Sequence, residues 1–156
     1  MSPDVPASPS RPETIARLAK NCNVAGVKEA GGSVDRVSEI LDLCDIPVLS
    51  GDDALTVPMM SVGAVGVVSV ASNIIPKEMK QLVDLCNAGA YDQARAMHRK
   101  LYRFFKGMFI ETNPIPVKAA MAMRGLLEEE YRLPLCPLAD KNRETLRQIL
   151  ADVPVD

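Results

Sequence analysis

The chain of 156 residues contains one histidine, no tryptophan and four cysteines, with no C-x-x-C pair among them. Catalytic triads that need a histidine have a single candidate, His98, and residues 94–100 read as a polar helix carrying a solvated imidazole. Cys22, Cys44, Cys86 and Cys136 are too widely spread to be close-set zinc ligands, so they read as reduced, mostly buried thiols. No apolar run reaches the roughly 18 residues that cross a bilayer, and the N-terminus lacks the apolar stretch of a secretory signal. The 18 Lys and Arg residues against 20 Asp and Glu leave a net charge of −2, which gives no broad basic face for nucleic acid. Neither G-x-x-x-x-G-K-[ST] nor G-x-G-x-x-G after a strand occurs, so Gly63 and Gly66 make no phosphate loop. A cytoplasmic protein that engages neither membrane nor nucleic acid is expected.

Proline is the residue the chain has in quantity. Pro3, Pro6, Pro9 and Pro12 recur every third position, which predicts an extended or disordered arm over residues 1–11. From Pro12 the pattern becomes helical, with Ile15, Ala16, Leu18 and Ala19 as the apolar positions. Residues 24–30 then read as a short strand, Gly31-Gly32-Ser33 as a turn with Ser33 as helix cap, and residues 34–44 as a helix. The unit repeats. Residues 47–50 form a second strand, Asp52 or Asp53 caps a helix over 54–62, and residues 66–70 form a third strand rich in β-branched side chains. Strands and helices alternating at this rhythm predict parallel β/α units with both sheet faces covered.

After residue 75 the strands stop. Helices are predicted over 76–87, closed by Asn87 and Gly89, and over 91–105, 117–130 and 140–151, with proline-bound extended links at 113–116 and 133–138. The fold class is therefore α/β, with about three β/α units over residues 12–89 and a helical appendage over 90–156.

Parallel β/α folds bind ligands at the C-terminal ends of their strands. Lys28 ends the first strand, and two readings stay open there. A desolvated lysine is more often a neutral amine, able to attack a ketone and form a Schiff base. Alternatively, Lys28 is an exposed residue paired with Glu29. At the second strand end, Gly51 permits close approach to a ligand, and Asp52 and Asp53 either bind a cation or cap the next helix. The third strand end offers Ser69, Ser72 and Asn73.

These strand ends carry a resemblance. Residues 24–32, Val-Ala-Gly-Val-Lys-Glu-Ala-Gly-Gly, look like the G-[IV]-K-E-A-x-G segment of the dihydrodipicolinate synthases, a family of the pyruvate-dependent class I aldolases. Residues 49–53 resemble its L-S-G-D-D segment, 66–70 its G-V-I-S-V strand, 113–118 its N-P-I-P-V-K link and 133–138 its L-R-L-P-x-x-P-[LI] tail. The five motifs run in the family's order over residues 12–151 and match its C-terminal half, which implies part of a TIM (β/α)8 barrel.

The resemblance implies roles for three residues. Lys28 matches the lysine that forms a Schiff base with pyruvate. Gly51 matches a glycine beside the bound pyruvate, and Val68 an apolar position whose backbone carbonyl lies near that lysine. It further implies condensation of the pyruvate enamine with L-aspartate-4-semialdehyde, for lysine biosynthesis through diaminopimelate, with no metal or organic cofactor. A homo-oligomer is the expected assembly. The family's Y-N-x-P-x-R-T segment finds no match in residues 2–11, and its paired threonines are not matched either. The expectation is thus a chain without the N-terminal half, inactive or impaired alone unless a second chain supplies the further strands. The alternatives are another pyruvate-dependent aldolase, such as N-acetylneuraminate lyase, or a non-catalytic oligomerisation module.

Overall fold

The computed structural model describes residues 10–21 and 23–153. All but residues 10 and 11 of the expected proline-rich arm lie outside the described residues. Ser10 and Arg11 are engaged: the Ser10 carbonyl accepts a hydrogen bond from Arg36 (2.8 Å), and Arg11 stands extended at the head of the first helix.

Three parallel strands form one sheet in the order β1 (Val27–Glu29), β2 (Val48–Ser50) and β3 (Gly66–Val67). Helix α1 (Pro12–Ala19) begins with Pro12 in its first turn, where the missing N–H costs nothing, and buries Ile15. It packs on α2 (Asp35–Leu43), which follows β1 and turns Val37 and Ile40 fully inward. After β2 the chain makes a 3-10 turn (Asp53–Leu55) into α3 (Thr56–Ser61), and after β3 a second 3-10 turn (Ala71–Asn73) into α4 (Pro76–Asn87). Each β/α unit thus returns the chain to the sheet in parallel. The later helices are α5 (Tyr91–Gly107), α6 (Ile115–Met123) and α7 (Asp140–Ala151).

Several elements are shorter or start elsewhere than the sequence predicts. Only Val27–Glu29 of the predicted strand 24–30 has register partners on β2. The predicted strand 66–70 ends early because the Asp53 carboxylate takes the amides of Val70 and Ala71, turning the backbone into the second 3-10 turn. Helix α2 starts after Val34 and no side chain caps it, so Ser33 does not hold the expected place. The expected extended link at 113–116 is also corrected: Pro116 sits in the first turn of α6, which begins at Ile115. Helix α6 stops seven residues before the expected 130. Gly125 takes a positive φ of 69° there, its amide bonds the Ala122 carbonyl, and the Leu126 amide bonds the Met121 carbonyl, a Schellman stop. Gly89 closes α4 the same way, as its spacing predicts.

The core runs from the helices beneath the sheet into the later helices through α5. Phe104 and Phe105 are its largest fully buried side chains, with Ile40, Met59, Leu82 and Leu146 among their fully buried companions. Gly107 lets α5 and α7 approach closely: a Cβ there would meet Ile149 Cδ1 at 2.8 Å.

Polar ties then fix the irregular segment between α6 and α7. Arg143 clasps Glu129 with both guanidinium nitrogens (2.9 and 2.5 Å), and the Tyr131 hydroxyl donates to Glu129 at 2.9 Å. Glu111 accepts from the Ala139 amide (3.0 Å) and from Asn142 (2.8 Å), standing in for the side-chain cap that α7 lacks. Arg124 donates to the carbonyls of Leu150 and Val153 at the end of α7, where a cation suits the helix dipole.

Two predictions follow from this packing. Replacing Phe104 with Ala is expected to destabilise the chain by about 3–5 kcal/mol in urea titrations. Leu133→Ala, at a side chain 92% exposed, should change stability by less than about 0.5 kcal/mol. The second concerns alkaline pH. Burial, then hydrogen bonding to Glu129, pushes the Tyr131 phenol up to about 12. A raised folded pKa adds stability that is complete below the unfolded value and is lost as pH rises through the folded one. The stability difference between the native chain and Tyr131→Phe should therefore narrow from pH 10 towards pH 12. A difference constant across that window would contradict it.

Candidate active site

Registry across the sheet sorts the strand residues by face. Val27, Lys28 and Glu29 stand opposite Val48, Leu49 and Ser50, and Leu49 and Ser50 stand opposite Gly66 and Val67. Side chains alternate along a strand, and residues in register share a face. Glu29, Val48 and Ser50 are buried on the helix-covered side. Lys28 is exposed and Leu49 half-buried on the other side, and Val68, two residues past Gly66, is 44% exposed. The covering expected on both faces is thus present on one, among the described residues. An open groove of about 460 Å³ runs along the free edge of β1, with Ile15, Leu18, Val27, Lys28 and Arg36 in its wall.

Gly51 makes the close approach that its position predicts. Its amide donates to the Glu29 carbonyl at 2.7 Å, drawing the end of β2 against the end of β1. A Cβ on Gly51 would lie 2.5 Å from Ala30 Cβ, 2.9 Å from Lys28 Cε and 3.0 Å from Ala30 Cα. No side chain fits there without displacing backbone, and the stem of Lys28 occupies the space that glycine leaves. Lys28 and Gly51 are therefore brought together. Val68 joins them through β2: its amide donates to the Ser50 carbonyl at 2.8 Å.

The buried polar residues gather in the same place. Among the described residues they are Glu29, Ser50, Asp53 and Thr56, all at or just beyond the ends of β1 and β2. Glu29 accepts from the Gly31 amide (2.6 Å) and from Arg36 Nε (3.2 Å). Its partner is thus Arg36, and the pairing of Lys28 with Glu29 allowed by the sequence is replaced by this one. The Ser50 hydroxyl donates to the Asp52 carbonyl (2.8 Å) and accepts the Asp52 amide (3.2 Å). Asp52 caps the following 3-10 turn by accepting from the Ala54 amide at 2.8 Å. Thr56 donates back to the Asp52 carbonyl.

The two aspartates have different tasks. Asp53 is 1% exposed, and one carboxylate oxygen accepts the amides of Val70 (3.2 Å) and Ala71 (2.9 Å). Burial raises its pKa above the ordinary aspartate value, against the opposing pull of Ser69 and those two amides. Ser69, Ser72 and Asn73 close their own turn: Ser69 and Ser72 bond each other's main chain and Asn73 bonds the Val70 carbonyl. They hold the third strand end rather than present free groups.

The remaining candidates lie apart from this cluster. His98 is half-buried against Tyr102 and Phe105, and burial lowers its pKa, so the expected solvated imidazole is corrected. Helix α5 needs that face for packing. Of the described cysteines, Cys86 is buried, Cys44 half-buried and Cys136 exposed, all free. Among the described residues no group of three His, Cys, Asp or Glu side chains could hold a metal ion. No described helix is long and apolar enough to cross a membrane. Sequence reasoning did not single out Arg36, Ser50 or Thr56. A charged residue seven positions after Glu29, and hydroxyls flanking two aspartates, were the available signals.

Comparison with known proteins gives this arrangement a family. The model of the dihydrodipicolinate synthetase family matches residues 3–153. The 4-hydroxy-tetrahydrodipicolinate synthase of Methanococcus maripaludis is 51% identical over 140 residues, which are 89% of this chain and 48% of that protein. The solved structure of the synthase from Methylacidiphilum fumariolicum SolV aligns with a TM-score of 0.88 at 51% identity, over 91% of this chain and 48% of that one. The chloride-inhibited dihydrodipicolinate synthase of Acinetobacter baumannii, complexed with pyruvate, aligns with a TM-score of 0.87 at 39% identity, over 90% and 49% of the two chains. The chain spans about half the length of the curated relatives it matches. Its three parallel β/α units and later helices are the fold of these barrel enzymes over that half. With the match running through nearly every described residue, the chain belongs to the dihydrodipicolinate synthetase family.

Proposed function

We propose that Lys28 takes pyruvate as a Schiff base, and that the chain carries the nucleophile of a 4-hydroxy-tetrahydrodipicolinate synthase reaction. The observation behind this reading is the fit of the Lys28 stem into the space left by Gly51 at a strand end. That geometry braces the lysine stem at Cε and leaves the amine open to a small ketone. The pyruvate complex of the Acinetobacter baumannii relative supports the choice of ketone. The synthase names borne by the compared relatives favour this reaction over that of N-acetylneuraminate lyase.

The chemistry needs pyruvate, the semialdehyde and one lysine. The neutral amine attacks C2 of pyruvate, and with the uptake of one proton the carbonyl oxygen leaves as water to give the iminium. The iminium then draws electrons from C3, which releases a proton to give the enamine. The enamine carbon attacks the aldehyde carbon of L-aspartate-4-semialdehyde, whose oxygen takes up a proton to become a hydroxyl, and the amine of the semialdehyde then adds to the imine carbon and displaces Lys28, closing the ring. The iminium is the electron sink, so the proposal invokes no metal or organic cofactor. Gly51 supplies the space beside the lysine, and Val68 lines the same strand ends. Proton relay and carboxylate binding fall to groups that no described residue matches.

The proposal extends to assembly and place. The free edge of β1 and the exposed Val65 and Val68 favour a chain working with further strands, within a homo-oligomer or from a partner chain. The lysine and diaminopimelate pathway and the cytoplasm are the setting this chemistry implies. Positioning and proton transfer each contribute about two or more orders of magnitude, so Lys28 alone should support adduct formation with little turnover.

Incubation with pyruvate and borohydride, followed by peptide mass spectrometry, should leave a reduced pyruvate adduct on Lys28 and none on that site in Lys28→Arg. A folded chain that gains no adduct overturns the proposal. Gly51→Ala should slow adduct formation by about tenfold or more, because the added methyl must push aside Ala30 and Lys28.

A further inference from the structure

We propose that Asp53 is a positioning residue for Lys28, holding Gly51 against the lysine by bridging the ends of β2 and β3. The inference rests on the Schiff-base reading of Lys28 given above and adds a residue to it.

Asp53 joins segments that are distant in sequence. Its Oδ2 accepts the amides of Val70 and Ala71, 17 and 18 residues further along the chain. Those amides belong to the turn just past Val68, which is itself bonded to the Ser50 carbonyl. The segment 50–53 is therefore gripped from two sides. On the β1 side the Gly51 amide holds the Glu29 carbonyl, and on the β3 side Asp53 holds Val70 and Ala71. Between these grips Ser50 braces both main-chain groups of Asp52, and Asp52 caps the turn. Gly51 sits between the two grips and abuts the Lys28 stem.

The energetics favour a task over stabilisation. Asp53 is 1% exposed, and its Oδ1 is buried with no hydrogen-bond partner. Burying a carboxylate costs the fold free energy that an apolar group of similar size would not, and burial is the largest influence on this one. What the carboxylate supplies is one acceptor aimed at two amides, and with it a fixed distance between two strand ends. Nearby groups do not replace it: Asp52 faces its own turn, and the Ser69 side chain acts on the Asp53 carboxylate itself.

The test uses the whole 156-residue chain and two readouts. The first is the rate of borohydride-trapped pyruvate adduct on Lys28. The second needs no pyruvate: the NMR signal of reductively 13C-methylated Lys28, assigned by its loss in Lys28→Arg. Asp53→Ala should slow trapping by about 10- to 100-fold, as misplacement of a reacting group by an ångström does, and should shift the methyl signal. Asp53→Asn keeps an oxygen for both amides and should restore trapping to within about threefold, with the methyl signal near its native position. If Asp53→Ala does not fold, Asp53→Ser, with a hydroxyl too short to span to both amides, takes its place. A folded Ala or Ser variant with native trapping and an unmoved Lys28 signal overturns the inference. So does an Asn variant as impaired as the Ala variant, because the amide bridge would then not be the cause. If the native chain forms no adduct, the Schiff-base reading fails by itself, and the Lys28 signal still decides whether Asp53 positions the lysine.

Discussion

The bond from the Gly51 amide to the Glu29 carbonyl, 2.7 Å long, is the constraint on which the strand-end cluster depends. It closes the parallel ladder one residue past the last register pair, Glu29 with Ser50. That bond brings the backbone of residue 51 so near β1 that a side chain there would overlap Ala30. Only glycine meets the demand, and the same vacancy is the trough for Lys28. Ladder geometry and the placement of Lys28 are thus one feature. The buried polar groups are consistent with this. Glu29 is neutralised by Arg36, Ser50 and Thr56 are tied to Asp52, and Asp53 reaches across to the third strand end. Polar groups in a core are costly unless satisfied, and here they converge where the backbone must be held to a fraction of an ångström.

What the sequence revealed divides along the range of the interactions. The β/α rhythm, the spans of α4, α5 and α7 and the glycine stop of α4 rest on local patterns, and they are legible within a few residues. Lys28 and Gly51 were legible as strand-end residues, and their motif gave them a chemistry. The contact between them depends on strand register, which short apolar runs do not specify. Gly125 was read as part of a longer helix because the apolar spacing continues past it, although its positive φ ends α6. Asp53 is the clearest case of long range overriding local preference. Residues 66–70 have the composition of a strand, yet a carboxylate from elsewhere turns residues 70 and 71 out of it. No local pattern reports an acceptor 17 residues upstream. Of the two readings open at Lys28, the pairing with Glu29 fails for a related reason: adjacency in sequence suggests it, but consecutive strand residues point to opposite faces.

The two faces of the sheet explain why position and reactivity have to be considered separately. The helix-covered face holds Val48 and Ser50 at 0% exposure, as in a finished α/β core. The face bearing Lys28 and Val68 is open, and the free edge of β1 adjoins it. An enclosed site excludes water and strengthens every polar contact around developing charge. On the open face water competes for those contacts, so the arrangement supplies the orientation of an amine and only part of its environment. In the barrels of the relatives, about twice as long as this chain, there is as much polypeptide again to close such a face.

That division bears on which substitutions should hurt which property. The apolar core is tightly packed, so changes there act through the stability of the whole fold, as at Phe104 on α5. The strand ends are gripped by hydrogen bonds whose net contribution to stability is modest, about 1 kcal/mol each, yet whose geometry sets the place of Lys28. Loss of one such bond removes little from the fold and can displace the lysine by an ångström, an amount that matters far more to a reacting amine than to a core. Stability and the placement of Lys28 are therefore carried by different residues of the same chain: the apolar core for the first, and the polar ring of Glu29, Ser50, Asp52 and Asp53 around Gly51 for the second.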